Sequence, residues 1–162
     1  MVKGRLAQGF AADVDGFLAF SLSVQNRRKS RAGYALGNHV EAILQAIGIA
    51  HRREATTEKR NGPDFLFPGE AAYHSADAPG AKLRMLAVKT TCKDRWRQVL
   101  AEADRISPKH LLTLEPGIST AQTTEMQAAA LQLVVPSPLQ PTYHPAQQAW
   151  LLSFSEFLAL VR

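Results

Sequence analysis

At 162 residues, 46% hydrophobic and 20% charged, the chain has the composition of a globular protein that fits one domain and can bury about two-thirds of the surface its unfolded form exposes. No segment approaches the roughly 20 apolar residues that span a membrane, and the opening MVKGRLAQGFAADVDG carries acids where a signal peptide needs an apolar run, so the expectation is a soluble, cytoplasmic protein with no membrane contact. The net charge of +5 is unevenly placed: residues 1–105 hold 17 Lys and Arg against 11 Asp and Glu, and residues 106–162 hold 2 against 3.

The basic residues cluster in RRKSR (27–31), HRR (51–53), EKR (58–60) and KDRWR (93–97). Such blocks are ordinarily solvated surface, but several on one face would form a polyanion footprint. The lone cysteine, Cys92, excludes an internal disulfide, and beside three cations it is either a reactive thiol or a small filler at a strand end.

Along the chain, the first 22 residues place Phe10, Val14, Phe17, Leu18 and Ser21 near helical spacing, predicting a helix that ends before the basic run. A second helix is predicted over 31–48, with Leu36, Val40, Ile43, Leu44 and Ile47 on one stripe and Gly48 as its stop. After a polar stretch, PDFLFPG reads as a short strand bracketed by prolines and glycine, and HSADAPGAK as a loop. The near-continuous apolar run of LRMLAVKTT predicts a strand buried on both faces.

From Asp94 the period changes, with Trp96, Val99, Leu100, Ala103 and Ile106 forming one apolar stripe of a helix that faces the sheet. Trp96 is read as its core anchor. KHLLTLEPG is a further strand, STAQTTEMQAAA a helix with Ser119 or Thr120 as N-cap, and LQLVVP a strand ended by Pro136. PSPLQPTYHP is a proline-rich turn and WLLSFSEFLALV the last helix. The order α-α-β-β-α-β-α-β-α predicts one α/β domain over 1–162, with a mixed sheet covered by helices on both faces.

Asp64 begins one strand and Lys89 ends the next, so antiparallel pairing of the two would bring them together. Glu102, thirteen residues beyond Lys89, lies two turns into the following helix and can return to the same spot. Two carboxylates and an ammonium suit a divalent cation and a phosphate attacked by water. The same residues are more commonly a turn aspartate, a snorkelled lysine and a helix ion pair, and spacing leaves both readings open. His39, His51, His110 and His144 show no common metal-ligand spacing.

NRRKSRAG, PDFLFPG, AYH, LRMLAVKTTCKDRWRQVLAEADRI, KHLLTLEPGIS and LVVP together resemble the catalytic domain of the EcoRII restriction endonuclease family, from about Arg27 to the last helix. The resemblance implies a restriction-endonuclease-like PD-(D/E)XK core. It also implies a type II, Mg2+-dependent endonuclease acting as a homodimer on duplex DNA at a CCWGG- or CCNGG-like site, in a system whose methyltransferase acts on the same sequence. Most of that superfamily places an acid two residues before the lysine; Ala87 stands there, and the acid corresponds to Glu102 on the helix.

By resemblance Asp64 and Glu102 are the metal ligands, Lys89 the catalytic lysine and Tyr73 a further active-site group, with His74 beside it a possible donor. Lys93, Asp94 and Arg95 have the donors and acceptor that read G·C pairs in the major groove, and the resemblance assigns them that task. Arg27, Arg28 and Arg31 are expected on the phosphate backbone, with Arg97 a base or backbone contact. The larger family enzyme carries an N-terminal effector domain, which is not expected in these residues. One departure stands out. Gly37 occupies the position where relatives carry a helix glutamate, and Glu41, one turn on, is the possible second acid. The alternative is therefore a weakly active or inactive sequence-specific DNA-binding dimer, and a mismatch- or structure-specific repair nuclease is a third reading.

Overall fold

The computed structural model describes residues 14–58, 61–75 and 83–162. Five strands form one sheet in chain order: β1 (Arg52–Arg53), β2 (Phe65–Phe67), β3 (Arg84–Lys89), β4 (Lys109–Thr113) and β5 (Leu131–Val134). The first three pair antiparallel and the last three parallel, so β3 is the central strand where direction changes. Alternation along the strands builds two cores. Leu66, Met85, Ala87, Leu111 and Leu133 face one side, with Trp96, Val99, Ile106, Met126 and Tyr143 over them. Phe65, Phe67, Leu86, Val88, Leu112 and Val134 face the other, under Val40, Leu44 and Phe157. The double burial of β3 expected from its sequence is thus what the sheet shows.

Helix α1 runs unbroken from Val14 to Ala46, about 50 Å at the usual rise per residue. The two helices expected on either side of RRKSR are therefore one. The basic run has no helix breaker, and its side chains project into solvent, so charge alone does not interrupt the ladder. Only the C-terminal part, through Val40 and Leu44, packs on the sheet, while Phe17, Leu18 and Leu22 remain exposed. The part of the first predicted helix before Val14, and most of the HSADAPGAK loop, lie outside the described residues. Gly48 ends the helix as expected, at φ +70°, with the Ile49 N–H donating to the Leu44 carbonyl.

Two short elements escaped the sequence reading: β1, and helix α2 (Glu70–His74). A larger correction concerns the helix after β3. Only Trp96–Val99 is helical (α3), and Ala103 adopts φ +48°, so Glu102 sits on an irregular turn rather than two turns into a helix. The reason is competition for the backbone. Lys109 Nζ donates to the carbonyls of Glu102, Ala103 and Ile106 at 2.5, 2.7 and 3.2 Å. The N–H groups of Ala103, Asp104 and Arg105 donate to Thr57 Oγ1, Glu58 Oε2 and the Tyr73 hydroxyl. Three N–H groups and three carbonyls that a continuing helix would have used are thus engaged by side chains instead.

Helix α4 (Thr120–Ala128) has Ser119 as its N-cap, accepting from Gln122 N–H. A 3₁₀ segment (Ser137–Thr142) occupies the proline-rich turn, α5 (Pro145–Gln148), which the sequence does not signal, starts from its last proline, and α6 (Phe154–Leu160) opens with a Ser153–Glu156 capping box. Leu152, just before it, bridges to Val134, so the start of the last predicted helix is instead a sheet-edge contact.

Candidate active site

The antiparallel register Phe65↔Leu86 sets the entry to β2 beside the exit of β3. Asp64 Oδ2 there accepts from Lys89 Nζ at 3.1 Å and from the Val88 N–H at 2.6 Å. The meeting of Asp64 and Lys89 expected from strand pairing is realised. Asp64 is further fixed by its neighbours: its carbonyl accepts from the Glu54 N–H, and the preceding segment passes so close to β1 that a Cβ on Gly62 would lie 1.7 Å from the Ala55 carbonyl oxygen. Only glycine permits that approach.

Glu102 reaches the same neighbourhood from the braced turn. Burial pushes its carboxyl up to about 7, with the Lys89 ammonium pulling it down, Asp64 pushing it up and Lys109 pulling it down. Its Oε2 is buried and has no hydrogen-bond partner among the described residues. A buried carboxylate oxygen left bare, with a second carboxylate and two ammonium groups near, fits a cation that would complete it. No three His, Cys, Asp or Glu side chains converge as a ready cage among the described residues. A cation here would draw its remaining ligands from water or phosphate, which suits the partly hydrated binding of Mg2+.

The cleft over Asp64 and Lys89 has α1 as one wall, through Asn26, Lys29, Gly33, Tyr34 and Gly37, and Arg53, Glu54, Thr90 and Arg95 as the other. The α1 residues recur at helical spacing, so one continuous helix is needed to align them. Of these, Asn26, Gly33 and Tyr34 drew no notice in the sequence, where α1 reads as broken at the basic run. Of that run, Lys29 and Ser30 line the cleft; Arg27, Arg28 and Arg31 do not, and Arg27 donates to Ser23 on its own helix. A second hollow, shared by Lys29, Lys93, Asp94, Arg95 and Glu115, continues the cleft toward the predicted reading residues.

Lys93, Asp94 and Arg95 occupy the tight turn entering α3, with Asp94 and Arg95 exposed. Arg97 faces away from the cleft lining: its guanidinium stacks 4.5 Å over the Trp96 ring and pairs with Glu125 on α4. Trp96 itself is buried, as its place on the apolar stripe indicated. Cys92 is buried and its thiol pushed up to about 11 by that burial, which makes it filler rather than nucleophile.

Tyr73 departs furthest from a role at a reacting phosphate. It is fully buried, and its hydroxyl donates to Glu58 Oε2 at 2.6 Å while accepting from the Arg105 N–H. Burial and that bond push it up to about 12, so it is a neutral brace behind the Glu102 turn. Burial pushes Glu58 up, yet the bonds from Tyr73, its own N–H and Asp104 prevail and hold it below its usual value. His74 contacts the Thr56 carbonyl at 3.1 Å on the outer surface. Glu41 is paired with Arg53 at 2.5 Å, and Arg53 Nη2 would lie 3.1 Å from a Cβ at Gly37. At Gly37 this cleft therefore presents a guanidinium whose countercharge is Glu41.

Residues 1–158 match the family model described as EcoRII C terminal. The chain belongs to this family. It is 50% identical over 155 residues to the type II restriction enzyme EcoRII of Escherichia coli, covering 95% of this chain and 38% of that enzyme. The EcoRII C-terminal match therefore spans well under half of its curated relative. Among solved structures, metal-depleted Ecl18kI in complex with uncleaved, modified DNA superposes with a TM-score of 0.75 at 23% identity, covering 88% of this chain and 48% of that one. A second complex of metal-depleted Ecl18kI with uncleaved DNA gives 0.77 at 21%, covering 94% and 51%. The restriction-endonuclease-like fold, a mixed five-stranded sheet flanked by helices, is shared with them. No helix among the described residues is long and apolar enough to cross a membrane.

Proposed function

We propose that this chain is the catalytic module of a type II endonuclease that hydrolyses duplex DNA at a CC-x-GG-like site with Mg2+. The observation that carries the reading is the Asp64–Lys89 contact at a strand junction, with Glu102, one of whose oxygens is buried and bare, near enough for both charges to act on it. Asp64 and Glu102 would hold the cation, which when bound supplies positive charge to the scissile phosphate and lowers the pKa of water. Lys89 is anchored by Asp64, so its ammonium is preset to neutralise a non-bridging phosphate oxygen. Tyr73 acts at one remove, by bracing the turn that carries Glu102.

Lys93, Asp94 and Arg95 read base edges: the cations donate to guanine and the carboxylate accepts from cytosine. Four to six residues after Lys89, they couple reading to cutting through one short segment. Lys29 on the cleft wall, with Arg27, Arg28 and Arg31 nearby on α1, supplies the backbone field. A two-fold symmetric site calls for a homodimer with one active site per strand, and Phe17, Leu18 and Leu22 offer apolar surface for the contact between copies. The methyltransferase of such a system modifies the same sequence and need not bind this chain.

Incubating the protein with a CCWGG duplex in Mg2+ and in Ca2+ tests the reading. Cutting in Mg2+ and binding alone in Ca2+ is the expected result; binding without cutting in either ion would leave a DNA-binding dimer. One observation favours that second reading, the Arg53–Glu41 pair seated against Gly37 in place of a further acid.

A further inference from the structure

We infer that Glu115, aided by Gln122, is a specificity-determining positioning residue: it aims Lys93 and fixes the distance between reading segment and catalytic lysine. The inference rests on the proposed reading of base pairs by Lys93, Asp94 and Arg95. The Glu115 side chain is only 12% exposed. Its Oε2 accepts from two consecutive N–H groups, Cys92 at 2.7 Å and Lys93 at 2.9 Å, and its Oε1 lies 3.6 Å from Lys93 Nζ. Gln122 Nε2 donates to the Lys93 carbonyl at 3.2 Å. Lys93 is thus held at its N–H, its C=O and its ammonium by two residues from the loop and helix after β4.

Glu115 is itself anchored. Its N–H donates to Thr113 Oγ1 at 3.2 Å and its carbonyl accepts from the Tyr143 hydroxyl at 2.6 Å. Thr113 Oγ1 donates in turn to the carbonyl of Thr90, the residue after Lys89. The chain from Lys89 to Lys93 is therefore tied at both ends to the exit of β4. Two N–H bonds alone would make Glu115 a backbone cap; the contact to the ammonium is what assigns it a part in reading. A glutamine at 115 keeps an oxygen for the N–H groups but no longer attracts the lysine, and so separates capping from aiming.

The test compares binding in Ca2+ of a CCWGG duplex and of duplexes with one G·C pair replaced by A·T, by fluorescence anisotropy. E115Q and K93A should each lower the cognate-to-substituted affinity ratio about tenfold, the scale of one lost base contact, and the E115Q/K93A double variant should lower it no further. Q122A should lower it less. An E115Q protein, or if that is poorly folded a Q122A protein, that keeps the wild-type ratio while K93A loses it would overturn the role of the clamp and leave the reading segment standing. A ratio unchanged in K93A would overturn both. A fall in thermal midpoint with the ratio intact would make Glu115 a structural cap only, which also overturns the inference.

Discussion

Asp64 and Glu102, the two carboxylates proposed to share one centre, are positioned by opposite means. Asp64 sits at the mouth of a strand, partly open to solvent, with its oxygen engaged by Lys89 and the Val88 N–H. Glu102 sits on a broken helix, half-buried, with one bare buried oxygen, and its turn is gripped by Lys109, Thr57, Glu58 and Tyr73. A strand end is placed by the sheet ladder, whereas an irregular turn keeps its shape only through contacts distant in sequence. The first acid is therefore expected to tolerate change around it better than the second.

The largest effects fall on the shared centre. Lys89→Ala and Glu102→Ala should each reduce cleavage of the CCWGG duplex by at least about 10²-fold, with binding in Ca2+ retained; a variant that cuts at the wild-type rate would remove its residue from the centre.

Next comes pH, which acts through Glu102. The Glu102 carboxyl is raised from 4.5 to about 7 by burial, so the folded state holds its proton more tightly than the unfolded one. Its stabilising contribution is complete below about 4.5 and is lost as pH rises through about 7. In metal-free protein Glu102→Gln should flatten urea stability against pH across that window, by at most about 3 kcal/mol and less where water reaches the group. Cation binding must displace that proton, so calorimetric Ca2+ affinity should rise with pH over the same range.

Tyr73→Phe tests the brace. Leaving Glu58 and the Arg105 N–H without their partner should cost about 1–3 kcal/mol in chemical denaturation, and should weaken cleavage without changing the shape of its pH profile. A profile altered near neutrality would return the hydroxyl to the chemistry. The smallest effect separates the cations. Lys29→Ala should reduce the slope of log affinity against log salt by about 1, while Arg97→Ala, whose guanidinium already pairs with Glu125, should change it less.

Much of the fold was legible from local rules. The apolar runs of β2 to β5, the Ser119 cap and the Gly48 stop each follow from periodicity or turn chemistry within a few residues. The Asp64–Lys89 meeting followed from strand order. The unbroken α1 was obscured because exposed charge resembles a boundary, and β1 and α2 are too short to carry a period. The turn at Glu102 was hidden for a stronger reason: its sequence, with Ala103 and Ile106 on the apolar stripe, is locally a good helix.

The amino-acid sequence by itself determined the apolar strands, the concentration of positive charge before residue 106, the nuclease family, and the meeting of Asp64 with Lys89. These depend on residue type and spacing, which the linear chain carries. Tertiary structure alone decided that Lys109 would draw three carbonyls out of a helix, that Tyr73 would brace rather than face the cleft, that Gly37 would lie against Arg53, and that Glu115 would hold Lys93. Each is a contact between groups distant in sequence, formed because a buried polar atom without a nearby partner must find one across the fold.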